Sequence, residues 1–381
     1  MKYGLVLEGG GARGAYHIGA VKALMENGIE IGAVTGTSIG ALNAAFIAEG
    51  DFEEAYKLWN TISFNDLFDV ENEKVKNAMN VNLDLNTVRY LSRKLSKAVK
   101  EKGIDTLKIR KLLEDKISEE KLRTSDVKLG VVVYCISDAK GEELLIDDME
   151  KGKLIDYLMA SSNLPVFQRV RFDEKSYLDG GVYDNCPVNL IRKAGYKEAY
   201  VVRTFKRMRI RDYKNIVKKG DIKMHMIEPV DNLPSILNFD TKNLQEQVTL
   251  GYYDGLKVVK KLDGIRYYIN SIKNKTIIER IKKMDYATLE KIISLANIKM
   301  KVGENVTEFF LQKVLPKLST RTKNKNLTKE KEYVISLIEH IALKNNVERF
   351  KIYTFDELLN ETKKFTDKKN LDAVELFVKE L

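Results

Sequence analysis

The first fifty residues constrain this chain more than any other stretch, because they set two glycine-rich turns between short apolar runs. Residues 3–7 read Tyr-Gly-Leu-Val-Leu, the kind of run that becomes a buried parallel strand, and they empty into Glu8-Gly9-Gly10-Gly11-Ala12-Arg13-Gly14. Ile18, Val21, Leu24 and Met25 then recur at helical spacing, and Gly28 stops that helix as a C-cap. A second run, Ile31-Gly32-Ala33-Val34, enters Gly36-Thr37-Ser38-Ile39-Gly40, after which residues 41–48 return to a helix. Strand, loop, helix, strand, turn, helix is the building unit of an α/β protein with parallel strands.

The second turn fits G-x-S-x-G. A serine on so tight a strand-to-helix turn is thrust outward on a strained backbone, and Gly36 and Gly40 let the two elements pass without a Cβ clash. The turn also sets Ser38 at the positive end of a helix, where an oxyanion is favoured. The first turn carries two readings. Gly9, Gly11 and Gly14 satisfy the dinucleotide fingerprint G-x-G-x-x-G, which demands an acidic residue at the end of the second strand. The chain has Gly36-Thr37-Ser38 there, and Glu30 precedes the strand rather than following it. The other reading is that consecutive glycines aim backbone N–H groups at one point, as acyl transfer requires for its tetrahedral oxyanion. Strands that lie side by side would bring those donors to Ser38.

Later segments add helices and the remaining strands. Residues 52–59, 87–99 and 107–117 have helical periodicity and read as an insertion, with Trp59 as a packing residue. Residues 127–136 and 143–146 resume the sheet, and 153–159 form a short helix before Ala160-Ser161-Ser162-Asn163-Leu164-Pro165 breaks it. Tyr177-Leu178-Asp179-Gly180-Gly181 brings a carboxylate to a strand exit, Pro187 opens another helix, and 198–203 is the last clear strand of this unit. In residues 206–223 basic side chains outnumber Asp212 and Asp221 and alternate with apolar ones, as on a membrane-surface segment or a solvated basic face. Beyond residue 256 the chain is helical and charged, with a short hairpin strand at 264–269 and amphipathic helices at 332–343 and 371–381. The composition break sets a division into 1–205 and 206–381.

At 381 residues, 44% hydrophobic and 31% charged, the chain is neither disordered nor membrane-embedded, and one large domain with an appendage is expected. Its net charge of +10 suits an anionic lipid surface or nucleic acid, and equally a lysine-rich solvated exterior. Cys135 and Cys186 give neither a disulfide framework nor metal spacing, so no metal and no organic cofactor is expected. Met1-Lys2 leads straight into the first strand and no apolar run approaches a membrane span; the expected location is cytoplasmic, with peripheral attachment to anionic membrane.

A serine esterase usually recruits a histidine, and the chain has His17, His225 and His340. The last two follow Asp179 in the Ser-Asp-His order of α/β-hydrolases, one just past the basic stretch and one inside an amphipathic helix. The other reading makes Asp179 itself the base. A free aspartate, with a pKa of about 3.9, is a poor acceptor for a serine proton, but burial beside an apolar wall raises it. Gly180 and Gly181 would let the carboxylate approach closely, although Asp-Gly-Gly is also a common turn. Three classes stay open on these residues. They are a Ser/Asp lipid hydrolase, a histidine-dependent carboxylesterase, and a non-enzymatic module that binds nucleotide or an anionic surface.

Taken in order, Gly9-Gly10-Gly11-Ala12-Arg13-Gly14, Gly36-Thr37-Ser38-Ile39-Gly40, the stretch from Ala160 and Ser161 to Pro165, and Asp179-Gly180-Gly181 resemble the patatin-like phospholipase family. Its blocks G-G-G-x-K/R-G, G-x-S-x-G, A-S-x-x-x-P and D-G-A/G all find a match within residues 1–205. The resemblance implies a three-layer α/β/α sandwich with a mostly parallel central sheet, plus a C-terminal, mainly helical region. It further implies a Ser38/Asp179 dyad without histidine and an oxyanion hole built from Gly9, Gly10, Gly11, Arg13 and Gly14, with Arg13 steadying the loop. The implied substrate is a lipid or phospholipid acyl ester, with no nucleic-acid partner. Past Phe205 the likeness fades.

Overall fold

The computed structural model describes residues 1–68, 104–206, 222–324 and 326–381. The helix expected at 87–99 lies outside them, as does most of the basic stretch, residues 207–221.

The opening unit forms as its spacing predicts. β1 (Tyr3–Leu7) leads through the glycine loop into α1 (Gly14–Glu26), and β2 (Ile31–Thr37) leads through Ser38 into α2 (Ile39–Glu49). α3 (Phe52–Thr61) and, further on, α4 (Leu107–Lys116) and α5 (Glu119–Thr124) precede β3 (Lys128–Cys135) and β4 (Lys140–Leu145). α6 (Leu154–Ser161), β5 (Val170–Phe172), β6 (Lys175–Asp179), α7 (Val188–Lys193) and β7 (Glu198–Val202) follow. β8 (Lys223–Ile227) and α8 (Thr241–Val259) complete the unit.

The strands make one eight-stranded sheet in the order β5-β6-β3-β2-β1-β7-β8, with β4 also on β3. The pairs from β3 through β2, β1 and β7 to β8 are parallel, and the pairs among β3, β4, β5 and β6 are antiparallel. One face of the sheet buries Val6, Ala33, Val132 and Val201 against Val188, Leu190 and Ile191 of α7. α2 and α6 pack on β2 and β3 from the opposite face, giving the three-layer α/β/α arrangement. α1 lies against α8, joined by the Tyr16 hydroxyl donating to Asp254 at 2.8 Å.

The chain divides into compact units at Met1–Val259 and Lys260–Leu381, later than the composition break at 205/206. The reason is that β8 extends the sheet beside β7 and α8 packs on α1, so residues 223–259 belong to the first core. Residues 198–203 therefore do not hold the last strand of that unit. The second unit gathers Ile277, Ile281, Leu289, Phe310, Leu337 and Phe377 into a core of its own. Its helix Glu330–Lys344 covers the amphipathic stretch read at 332–343, and Ala373–Glu380 falls within the one read at 371–381. The strand expected at 264–269 is only Tyr268–Ile269; it pairs in parallel with Ile352–Tyr353, and an antiparallel bridge between Asp263 and Ile269 closes the segment back on itself.

Candidate active site

β1 and β2 run parallel with Leu7 opposite Gly36, so the glycine loop and the serine turn leave the sheet side by side. Ser38 sits between strand and helix at φ 56° and ψ −129°, a backbone that L-residues avoid. A Cβ on Gly36 would strike the Gly40 carbonyl, and one on Gly40 the Leu7 carbonyl, which is why both positions are bare. The Ser38 amide donates to Ser161 Oγ at 3.0 Å, so the Ala160-Ser161 block braces the turn from α6.

The pairing of β3 brings Asp179 to the same point. A strand has two edges, and β4 occupies one of them from Gly130 to Cys135. β2 pairs with residues 128–132 of β3 and β6 with residues 133–135, so these two must share the other edge end to end. Thr37, the last residue of β2, is opposite Val132; Asp179, the last of β6, is opposite Val133. The C-terminal ends of the two strands meet there, with Ser38 and Asp179 at the junction. Asp179 is buried, its Oδ1 accepts the Gly181 N–H at 2.7 Å, and its own amide donates to the Asn163 carbonyl at 2.9 Å. The same short segment, residues 161–163, thus ties down both positions.

Most backbone amides of the glycine loop are already taken up by the protein. Gly9 N–H donates to the Asn185 carbonyl, Ala12 N–H to Ile236, Arg13 N–H to Gly10, and Gly14 N–H to Ala12 and Gly11. Among the described residues, only the Gly10 and Gly11 amides of the run from Gly9 to Gly14 have no recorded acceptor. The amides of Gly9, Arg13 and Gly14 are thus bonded within the protein. Arg13 acts through its side chain: Nε donates to the Pro234 carbonyl at 2.8 Å and the other nitrogens to Thr204 and Leu233, while the guanidinium lies over the Phe205 ring at 4.5 Å. Burial lowers its pKa to about 10, partly offset by Glu8, so it remains a cation. Residues 233–236 are in this way strapped onto the loop.

Gly11 is held at φ +56°, and a Cβ there would strike the Ile236 carbonyl. Gly11→Ala is expected to destabilise the protein by at least about 1–2 kcal/mol, the cost of a left-handed alanine before the strap has moved. Thermal denaturation checks this; an unchanged Tm would contradict it.

An apolar cleft opens from Ser38 and Gly11 and is walled by α2, α3 and α4 together with Phe68, Phe167, Leu237 and Phe239. The Ser38 turn and Gly11 thus border the same space.

Residues 5–191 match the family described as patatin-like phospholipase. Over that length the chain belongs to the patatin-like phospholipase family. The chain is 28% identical over 304 residues to a patatin-like phospholipase domain-containing protein, ZK370.4, of Caenorhabditis elegans, covering 77% of this chain and 20% of that one. It is 27% identical over 200 residues to lysophospholipase NTE1 of Candida albicans, covering 52% and 13%. The chain thus spans about a fifth or less of the length of these curated relatives. Among solved structures it is similar to VipD from Legionella pneumophila, with a TM-score of 0.43, 16% identity and coverage of 99% and 90%.

None of the histidines of this patatin-like chain is bonded to Ser38 or Asp179 among the described contacts. His225 lies mid-strand in β8, opposite Tyr200 and three strands from β2; its Nε2 pairs with Glu198 at 2.7 Å and its ring stacks on Tyr200. His340 is exposed on the Glu330–Lys344 helix of the second unit. His17 is fully buried on α1, and burial drops its pKa to about 3, so it stays neutral. Among the described residues no cluster of three or more His, Cys, Asp or Glu is gathered as metal ligands would be, and no helix is long and apolar enough to cross a membrane.

Three contributors were not legible beforehand. Asn185 donates through Nδ2 to the Gly9 carbonyl, the strap at 233–236 closes the loop, and Trp59 walls the cleft as well as packing. Asn185 follows the Asp-Gly-Gly turn by four residues, the one local clue; the strap carries none.

Proposed function

We propose that this domain is a lipid acyl hydrolase that cleaves carboxylic esters through an acyl-enzyme. Ser38 Oγ attacks the ester carbonyl as Asp179 takes its proton, and the Gly10 and Gly11 amides hold the resulting oxyanion. Collapse expels the alcohol, which leaves with the proton from Asp179, and the acyl group stays on Ser38. Water then attacks that ester with Asp179 again as base. The observation that carries this reading is the end-to-end meeting of β2 and β6, which supports a direct Ser38–Asp179 partnership without a histidine between them. The apolar cleft beside Ser38 supports an acyl chain as the group transferred. A positive chain, at +10, favours substrate held in an anionic lipid surface.

The test is a fluorophosphonate probe together with p-nitrophenyl esters from acetate to palmitate. Covalent mass added to the Ser38 peptide, with kcat/KM rising from acetate to medium and long chains, is the expected result. An unlabelled protein that instead binds nucleic acid in a salt-sensitive way would replace this reading with the anion-binding module.

A further inference from the structure

α2 presents Ile39, Leu42, Asn43 and Phe46 to the cleft, an i, i+3, i+4, i+7 set, so the cleft follows one helical face away from Ser38 for about 10 Å. Asn43 is the polar member of that face, and it is buried at 2% exposure. Its carboxamide is fully engaged. Nδ2 donates to the Gly14 carbonyl at 3.0 Å and faces His17 Nδ1 at 3.3 Å; Oδ1 accepts the Trp59 indole N–H at 2.8 Å. With both amide hydrogens directed at Gly14 and His17, only the oxygen can face Trp59, and the network assigns that orientation. His17, neutral because it is buried, keeps Nδ1 available as the acceptor.

The indole is fixed from two more sides. Its ring stacks on Phe239 with centroids 6.3 Å apart and planes at 17°, and its benzo edge lies on Gly14, where a Cβ would collide with it. Trp59 is buried with its N–H satisfied, yet one side of it borders the cleft. It lines the cleft at the level of Asn43, five residues along α2 from Ser38, about 7–8 Å away along the axis.

We propose that Trp59 is the chain-length gauge of this cleft. The indole meets the acyl chain part-way along its path, and Asn43 and His17 are positioning residues that keep it there. The inference rests on the acyl-hydrolase reading of the site and adds the residue that reads the chain.

Trp59 is the only tryptophan in the sequence, so its emission reports one position. In a Ser38→Ala protein, dibromostearate, whose bromines sit mid-chain, should quench that emission saturably, with unbrominated stearate competing. Absence of quenching would overturn the proposal. In steady-state assays Trp59→Ala should lower the palmitate-to-butyrate ratio of kcat/KM by about tenfold or more. Asn43→Leu should shift the same ratio in the same direction with the indole still present. The double variant should shift it no further than Trp59→Ala alone; additive shifts would mean that Asn43 acts elsewhere and would overturn its positioning role. Ser38-dependent hydrolysis without quenching would sink this inference alone. Quenching in a protein that hydrolyses no ester would sink the hydrolase reading and leave the contact between Trp59 and the chain standing.

Discussion

Replacing Ser38 with alanine is expected to lower kcat for p-nitrophenyl acyl esters by at least about 10⁴-fold, because the attacking atom is gone and only binding and oxyanion stabilisation remain. The more diagnostic companion is Ser38→Gly. Ser38 is held at φ 56° and ψ −129°, a strain of about 1–3 kcal/mol for any residue with a Cβ. Glycine releases that strain and gives back about 0.5–1 kcal/mol through its freer unfolded state. The glycine variant should therefore be as inactive as the alanine variant and melt at a higher temperature than either it or the parent. Differential scanning calorimetry beside the kinetic assay reads both. A glycine variant that melts lower would mean that the turn is not strained by its side chain.

The second large effect is at the carboxylate. Asp179→Asn keeps the size of the side chain and an oxygen to accept the Gly181 N–H now made at 2.7 Å, so the turn should persist. What disappears is the base. A fall in kcat of about 10²–10⁴-fold with KM little changed is the expected outcome. Loss of fluorophosphonate labelling at Ser38 should accompany it, since the unassisted hydroxyl is a weak nucleophile. Substantial activity in Asp179→Asn, together with inactivity of His225→Ala or His340→Ala, would return the chemistry to a histidine-dependent esterase. The pairing of His225 with Glu198 in mid-strand argues against that result.

What could be read in the sequence was whatever short-range backbone chemistry dictates. The glycine loop, the serine turn and the Asp-Gly-Gly exit are all local, and the strands and helices around Ser38 followed from apolar period alone. Features that depend on distant partners were not legible. β8 reads Lys-Met-His-Met-Ile, half polar and placed after a basic stretch, and it becomes a strand because β7 offers it an edge. The division of the chain moved to Val259 for the same reason. That Asn185 and Ile236, far along the chain, take up the Gly9 and Ala12 amides was likewise not legible. Trp59 looked like a core residue since nothing near it reveals that Asn43 hangs it over a cleft.

The closed packing around the serine turn also governs how this domain can fail. At residues 11, 36 and 40 the space that a side chain would need is already filled by main-chain oxygen atoms of neighbouring segments, namely those of Ile236, Gly40 and Leu7. Main chain cannot rotate out of the way as a side chain can. Inherited or engineered loss of function should consequently arise from a single methyl at these positions as readily as from deleting the reactive hydroxyl, although none of those side-chain hydrogens takes part in any bond-making step.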